Sequence, residues 1–260
     1  MDILDALPFL RVIDLETTGN SFTDGGVVEI GWQDVGSDGQ GGWTLTGLPQ
    51  AILIDPGNPI SPATAAIHHI IDEDVVGAPR WQHAAPDVLR ATPGPAPLAL
   101  AAHRSSFEQR WCVPALTGGL PWICTYKCAL RIWPDAPGHS NQGLRYWRRP
   151  SGLDRATGLP AHRAGPDAYV TAFHLRDMLA VASLEQLLRW SAEPALLIKV
   201  PYGRLRGRRL ADLSTEDLDS LLAGERVDGE IAFSARHHLG LRRGDTPPAS
   251  SPDLRSDLLI

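Results

Sequence analysis

The chain has 260 residues, 43% of them hydrophobic, which is enough for one main domain with a real core plus a small appendage. Its formal net charge of −6 excludes the broadly basic profile of most nucleic-acid-binding domains, but not an enzyme that counts acidic metal ligands in its charge. Three cysteines, Cys112, Cys124 and Cys128, exclude a disulfide framework and read as small buried hydrophobes in a reducing, cytoplasmic setting.

The start, MDILDALPFL, has no basic region and is broken by acids and a proline, so it does not read as a signal peptide. No apolar run is long enough to span a membrane. Phe9 to Leu15 reads as a buried strand, Gly25-Gly26 as a turn, and Val27 to Trp32 and Trp43 to Ile54 as two further strands of an antiparallel meander. Ser61-Pro62 opens a short helix, with serine as cap and proline in the first turn, and Asp72 starts another. Ala91 to Pro97 is proline-rich loop. Leu98 to Ala102 is a short strand, and Ser105 or Ser106 caps a helix running toward Leu116. Trp122 to Thr125 is another strand, followed by helical patterns to about Trp147. Gly152 to Pro160 is loop, Gly165 to about Leu179 a strong helix, and Ser183 to Trp190 one more. The pattern breaks at Glu193-Pro194. The expected division is a main domain over 1–192, a small module over 196–239, and a disordered tail over 240–260.

Three short segments carry candidate chemistry. Asp14 and Glu16 are two apart at the end of the first strand, so both carboxylates leave the same face. Like charges at the edge of a core repel, and a cation between them removes that penalty. By itself the pair also fits an ordinary solvated strand end. The second segment runs from His103 to Glu108 after a short strand, and Glu108 in a first helical turn is favoured by the helix dipole alone. The third is His162 on a loop with Asp167 in the first turn of the helix that Pro166 opens. A histidine beside an anionic site has a proton affinity suited to a general base.

Taken in order, Asp-x-Glu-x-Thr-Gly, His-x-x-x-Phe-acid and His-x-x-x-x-Asp resemble the motifs of the DnaQ-like DEDDh 3′→5′ exonucleases. Further stretches resemble the exodeoxyribonuclease X branch of that family: Gly26-Val27-Val28-Glu29-Ile30, Ile60-Ser61-Pro62 through His68, Trp122-Ile123-Cys124-Thr125 with Lys127, Trp133-Pro134, and Ser140-Asn141. The likeness spans Phe9 to Leu239. It implies an α/β, RNase H-like fold with a mixed five-stranded sheet flanked by helices, and two Mg²⁺ or Mn²⁺ ions per site. It implies that Asp14 bridges both ions, that Glu16 and Asp167 hold the one carrying the attacking water, and that Glu108 serves the second. His162 would take the water's proton. Leu15, Thr17, His68, His103 and Phe107 fall where the family meets its substrate, although Leu15, Thr17 and Phe107 also suit plain packing. Two departures stand out: Arg104 replaces the usual Asn and Glu108 the usual Asp.

The module begins Val200-Pro201-Tyr202-Gly203-Arg204-Leu205-Arg206-Gly207-Arg208-Arg209, a basic stretch on an acidic protein. Tyr202, Arg204 and Arg206 are candidates for stacking on bases and gripping phosphates; a charged, soluble edge is the plainer reading. The family resemblance implies 3′→5′ hydrolysis of DNA, single-stranded or at duplex 3′ ends, releasing nucleoside 5′-monophosphates. The alternatives are an RNase of the same family and a binding module with weakened catalysis. A 2′-hydroxyl pocket is not legible in a sequence.

Overall fold

The computed structural model describes residues 7–223 and 228–244. Its centre is a five-stranded sheet of order β3-β2-β1-β4-β5. β1 (Phe9–Thr17), β2 (Val27–Ser37) and β3 (Trp43–Leu53) form the antiparallel meander expected from their Gly-rich turns. β4 (Leu100–Ala102) and β5 (Trp122–Cys124) run parallel to β1. β1 and β2 are buried along most of their length because both of their faces are covered. β3, at the edge, is mostly exposed.

The side-chain period of two sorts β1 between two cores. Leu10 and Val12 point to one that includes Leu144, Leu175, Met178 and Leu187. Ile13 and Leu15 point to the other, with Ile30, Ile54, Trp81, Leu89 and Trp111. Asp14 and Glu16 continue the Leu10–Val12 row and so share the face of that first core.

The helices follow in chain order. α1 (Pro62–His68) is capped by the Ser61 hydroxyl, which accepts from the Thr64 N–H. A single 3₁₀ turn covers Asp72–Val75 where a helix was expected. α2 (Trp81–Arg90) was not expected; Pro86 lies inside it, and burial of Trp81, Ala85, Val88 and Leu89 offsets the missing N–H. The long helix expected before Leu116 is two single turns, α3 (Glu108–Trp111) and α4 (Pro114–Thr117), since Val113-Pro114 interrupts it. α5 (Thr125–Ile132), α6 (Asn141–Arg148), α7 (Ala164–Leu179) and α8 (Leu184–Ala192) complete this part.

α7 is the central helix, with most of its residues buried against β1, β2 and β3. Its start sits directly on β2: a Cβ placed on Gly31 would lie 2.1 Å from the Ala164 carbonyl carbon. Only glycine admits this backbone approach. Gly31 is the register partner of Asp14, so the contact brings the start of α7 to the acidic strand end.

The chain divides into two compact units between Glu193 and Pro194. The second contains α9 (Thr215–Leu222) and α10 (Gly229–Arg243) around Val200, Leu205, Leu210, Leu213, Leu218 and Leu239. α10 continues to Arg243, beyond residue 240 where the tail was expected to begin; its apolar face, down to Leu239, carries the last turn with it. Residues 245–260 of the expected tail lie outside the described residues. No helix among the described residues is long and apolar enough to cross a membrane. Cys112, Cys124 and Cys128 are buried and free.

Candidate active site

β1 and β4 run parallel, so the segments that follow them leave the sheet at the same carboxyl edge, where open α/β sheets bind ligands. Asp14 and Glu16 come from β1, Glu108 from the start of α3, and Asp167 from the first turn of α7. One carboxylate oxygen from each of Asp14, Glu16 and Asp167 lies within 4.8 Å of the others. Three of the four expected acids therefore converge closely. Glu108 is not one of the three, but it is buried, and its electrostatic coupling to Glu16 marks it as a neighbour.

The cluster is electrostatically costly. Burial pushes the Asp14 carboxyl well above the usual range, and Glu16, Asp167, Glu108 and Glu29 add to the effect. Burial, then Asp167 and Glu29, push Glu16 up to about 8, against an opposing effect of Arg163. Burial also pushes Glu108 up to about 8, with Glu16 contributing. The Oε2 atom of Glu108 is buried with no hydrogen-bond partner. Such a group is expensive unless a proton or a bound cation satisfies it. Hard carboxylate oxygens, close together and short of positive charge, are the donor set that Mg²⁺ and Mn²⁺ take. The residues fit a divalent cation.

Asp167 is held from three directions. Its Oδ1 accepts from Gln142 Nε2 at 2.6 Å and from Asn141 Nδ2 at 3.4 Å, and its Oδ2 from the His162 N–H at 2.6 Å. Behind Gln142 stands buried Arg145, which donates to the Gln142 side-chain oxygen at 3.1 Å, to the Arg155 carbonyl at 2.8 Å and to the Gly158 carbonyl. One cation thus ties the loop leading to His162 to the side chain that orients Asp167. His162 itself is exposed and adopts φ 59°, a left-handed conformation unusual for histidine.

The remaining candidates divide. His103 is not free: its Nε2 donates to the His139 carbonyl at 2.8 Å, and its Nδ1 bonds the Thr125 hydroxyl at 3.0 Å. Burial lowers its pKa to about 4, so it is a neutral tie between β4 and α5. His68 is buried; its Nδ1 accepts from the Ile70 N–H at 3.1 Å, and its Nε2 has no partner. Leu15 belongs to the core on the face opposite Asp14, and Phe107 packs half-buried against the same core. Thr17 donates to the Gly19 carbonyl at 2.7 Å and so shapes the turn after Glu16. Arg104, at φ 68°, lays its guanidinium over the Tyr126 ring, 3.8 Å from the centroid.

In the second unit, described by itself, the basic stretch is a tight loop closed by a Lys199–Arg209 bridge. Arg204 and Arg208 both pair with Asp217, at 3.0 and 3.1 Å. Tyr202 and Arg206 are exposed.

Glu29, Gln142 and Arg145 escaped the sequence reading as site residues. Glu29 carried one signal, an acid alone in the apolar run Val27-Val28-Glu29-Ile30. Gln142 and Arg145 carried none, because their roles depend on loops distant in sequence.

The structure has solved counterparts among nucleases. A structure of exonuclease X in complex with 5′ overhanging duplex DNA matches with a TM-score of 0.58 and 32% identity, covering 70% of this chain and 99% of that one. A structure of cell-death related nuclease 4 matches with a TM-score of 0.53 over 68% of this chain and 65% of that one; at 16% identity it speaks for the fold alone. No family model matches the sequence. The fold is RNase H-like and the protein is an exonuclease. Exodeoxyribonuclease 10 of Escherichia coli (strain K12) is 34% identical over 210 residues, 80% of this chain and 86% of that protein, and the chain belongs to the same family.

Proposed function

We propose that this exonuclease removes nucleotides from the 3′ end of DNA by a two-metal mechanism and releases nucleoside 5′-monophosphates. The observation that carries the proposal is the convergence of Asp14, Glu16 and Asp167 within 4.8 Å at the end of β1. Family membership supports DNA as the substrate, since the relatives are an exodeoxyribonuclease and an exonuclease X seen with duplex DNA.

Asp14, Glu16 and Asp167 would hold one divalent cation, and Asp14 with Glu108 a second. Cations bound there would supply charge neutralisation at the scissile phosphate and an acidified water. Among the chain's own groups, His162 has the freedom a general base needs: its backbone is fixed by Asp167 while its ring is exposed. It takes the proton from the attacking water and releases it to solvent after product leaves. Asn141, Gln142 and Arg145 keep Asp167 in one orientation, so that less reorganisation accompanies the reaction.

The test is degradation of 3′- and 5′-labelled single- and double-stranded DNA and RNA with Mg²⁺ or Mn²⁺, with products resolved by length. Mononucleotides released early from the 3′ label, with none in EDTA, are expected. Release from the 5′ label first, or full activity in EDTA, overturns the polarity or the metal mechanism respectively. Faster hydrolysis of RNA reassigns the substrate.

A further inference from the structure

We propose that Glu29, acting through Arg163, is a positioning residue that sets where His162 and Asp167 stand. The inference rests on the nuclease reading, and it deepens that reading by naming what holds the base and its neighbouring acid in place.

Glu29 lies near the start of β2, only 2% exposed, on the face that carries α7. A carboxylate there has to be paired. Its Oε1 accepts from Arg163 Nη2 at 2.6 Å, and its Oε2 from Arg163 Nε at 3.0 Å and from the Ala164 N–H at 2.8 Å. All three donors belong to two consecutive residues: Arg163, next to His162, and Ala164, the first residue of the helical turn bearing Asp167. The fork of Arg163 on a carboxylate fixes orientation as well as distance. Beside it, Gly31 admits the Ala164 backbone. β2 therefore grips the start of α7 twice, once by close packing and once by the carboxylate.

Two further observations favour positioning over simple stabilisation. His162 sits at φ 59°, and a conformation sparsely used by histidine persists only where its surroundings hold it. Arg163 is the next residue, so the clamp fixes the far side of that strained link while Asp167 fixes the near side. Glu29 is also the cross-strand register partner of Glu16. Like charges directly opposite repel. Placing Arg163, with its positive charge, on Glu29 offsets that repulsion. A pair needed only for stability is commonly replaced by apolar residues of similar size without loss. Such a replacement here would keep the packing and lose the hydrogen bond to Ala164.

That contrast gives the experiment, made on the full chain. Three variants are compared with the parent: Arg163→Lys, Glu29→Gln, and the double variant Glu29→Leu with Arg163→Met. For each, thermal unfolding, kcat and KM on a labelled DNA, and amide hydrogen exchange at His162, Ala164 and Val12 are measured. The double variant is expected to unfold near the parental temperature. It should exchange faster at His162 and Ala164 but not at Val12, and lose about 10²-fold in kcat with KM nearly unchanged, the scale of a misplaced catalytic group. Arg163→Lys, which keeps charge without the fork, should fall between parent and double variant. Parental exchange at His162 in the double variant overturns the proposal. So does an acceleration shared equally by Val12, which would make the pair a general stabiliser. A parent without nuclease activity overturns the nuclease reading alone, because the exchange measurements still decide whether Glu29 and Arg163 hold His162.

Discussion

The backbone N–H of His162 donates a 2.6 Å hydrogen bond to Oδ2 of Asp167, so the proposed base and a proposed metal ligand are held by one bond. That bond uses the main chain and leaves the imidazole ring free to act. Replacing the ring should therefore cost chemistry and spare the cluster. His162→Asn is the cleaner variant, because asparagine tolerates the left-handed backbone that His162 adopts. Its kcat is expected to fall by about 10²–10⁴-fold with little change in KM. Steady-state kinetics on a labelled oligonucleotide measures both. A parental kcat with a raised KM would make His162 a substrate contact instead.

The acidic cluster predicts how stability varies with pH. The carboxyls of Glu16 and Glu108 are pushed from 4.5 up to about 8, and that of Asp14 well above its ordinary value. A group with a raised folded-state pKa contributes its full stability below the unfolded value and loses it as pH climbs through the folded value. In EDTA the melting temperature should therefore drop as pH rises from about 4.5 to about 8, and Asp14→Asn should flatten the drop while abolishing activity. Mg²⁺ at about a hundredfold above its Kd should add about 2.7 kcal/mol and lift the melting temperature at pH 8. Differential scanning fluorimetry across pH, with and without the ion, checks this. A melting temperature indifferent to Mg²⁺ at pH 8 would remove the cation from the site.

The features legible in the sequence were those written locally. Asp14 and Glu16 are neighbours on one strand, and Pro166 with Asp167 marks a helix start, so a strand end and a first turn could be read without knowing what they face. The meander was legible for the same reason, through Gly25-Gly26 and the strand-like runs on either side of it. What pairs across the fold was not. Glu29 and Arg163 are separated by 134 positions, and nothing near either predicts the other. His103 looked available because its two partners, Thr125 and the His139 carbonyl, come from α5 and the loop after it. α2, with Pro86 inside it, was not legible: the proline's local cost is outweighed by a buried face that only the tertiary structure reveals.

The second unit should contact nucleic acid through fewer groups than its arginine count implies. Asp217 already occupies Arg204 and Arg208, while Tyr202 and Arg206 remain exposed. Arg206→Ala is expected to weaken DNA binding whatever the sequence, and to reduce the salt slope of log K by about 0.7–0.9 if it removes one phosphate contact. Tyr202→Ala should weaken single-stranded binding by about 1–3 kcal/mol with little change in that slope, the signature of a stacking residue. Asp217→Asn, which releases two guanidinium groups, should strengthen binding at low salt. Fluorescence anisotropy over a salt series reads all three. Parental affinity and slope in every variant would leave the unit with some other task.

By the resemblance its motif carries, Glu108 takes the place of an aspartate, and its position in the structure decides what the longer side chain must do. It begins α3, is 3% exposed, and leaves Oε2 buried without a partner beside the carboxylates of β1. A residue kept only for the helix dipole would point its charge into water, because the dipole favours an exposed acid as well as a buried one. A buried, unpaired carboxyl instead costs stability until a cation or a proton joins it. Its pKa of about 8 says that near neutral pH, without metal, it holds the proton. Glu108→Gln should therefore unfold at a higher temperature than the parent in EDTA at pH 8, since the amide never ionises, and yet lose nearly all activity. Glu108→Ala should be similarly inactive while remaining folded. Glu108→Asp should match or exceed the parental kcat, because the shorter arm suits octahedral Mg²⁺ coordination, and a misfit near reacting atoms costs up to about 10²-fold per ångström. Mn²⁺ should narrow the difference between Glu108 and the Asp variant. Melting curves and initial rates with each ion separate these outcomes. If Glu108→Ala keeps most of the parental rate, the second cation is held by other groups, and Glu108 is a buried acid that the fold merely tolerates.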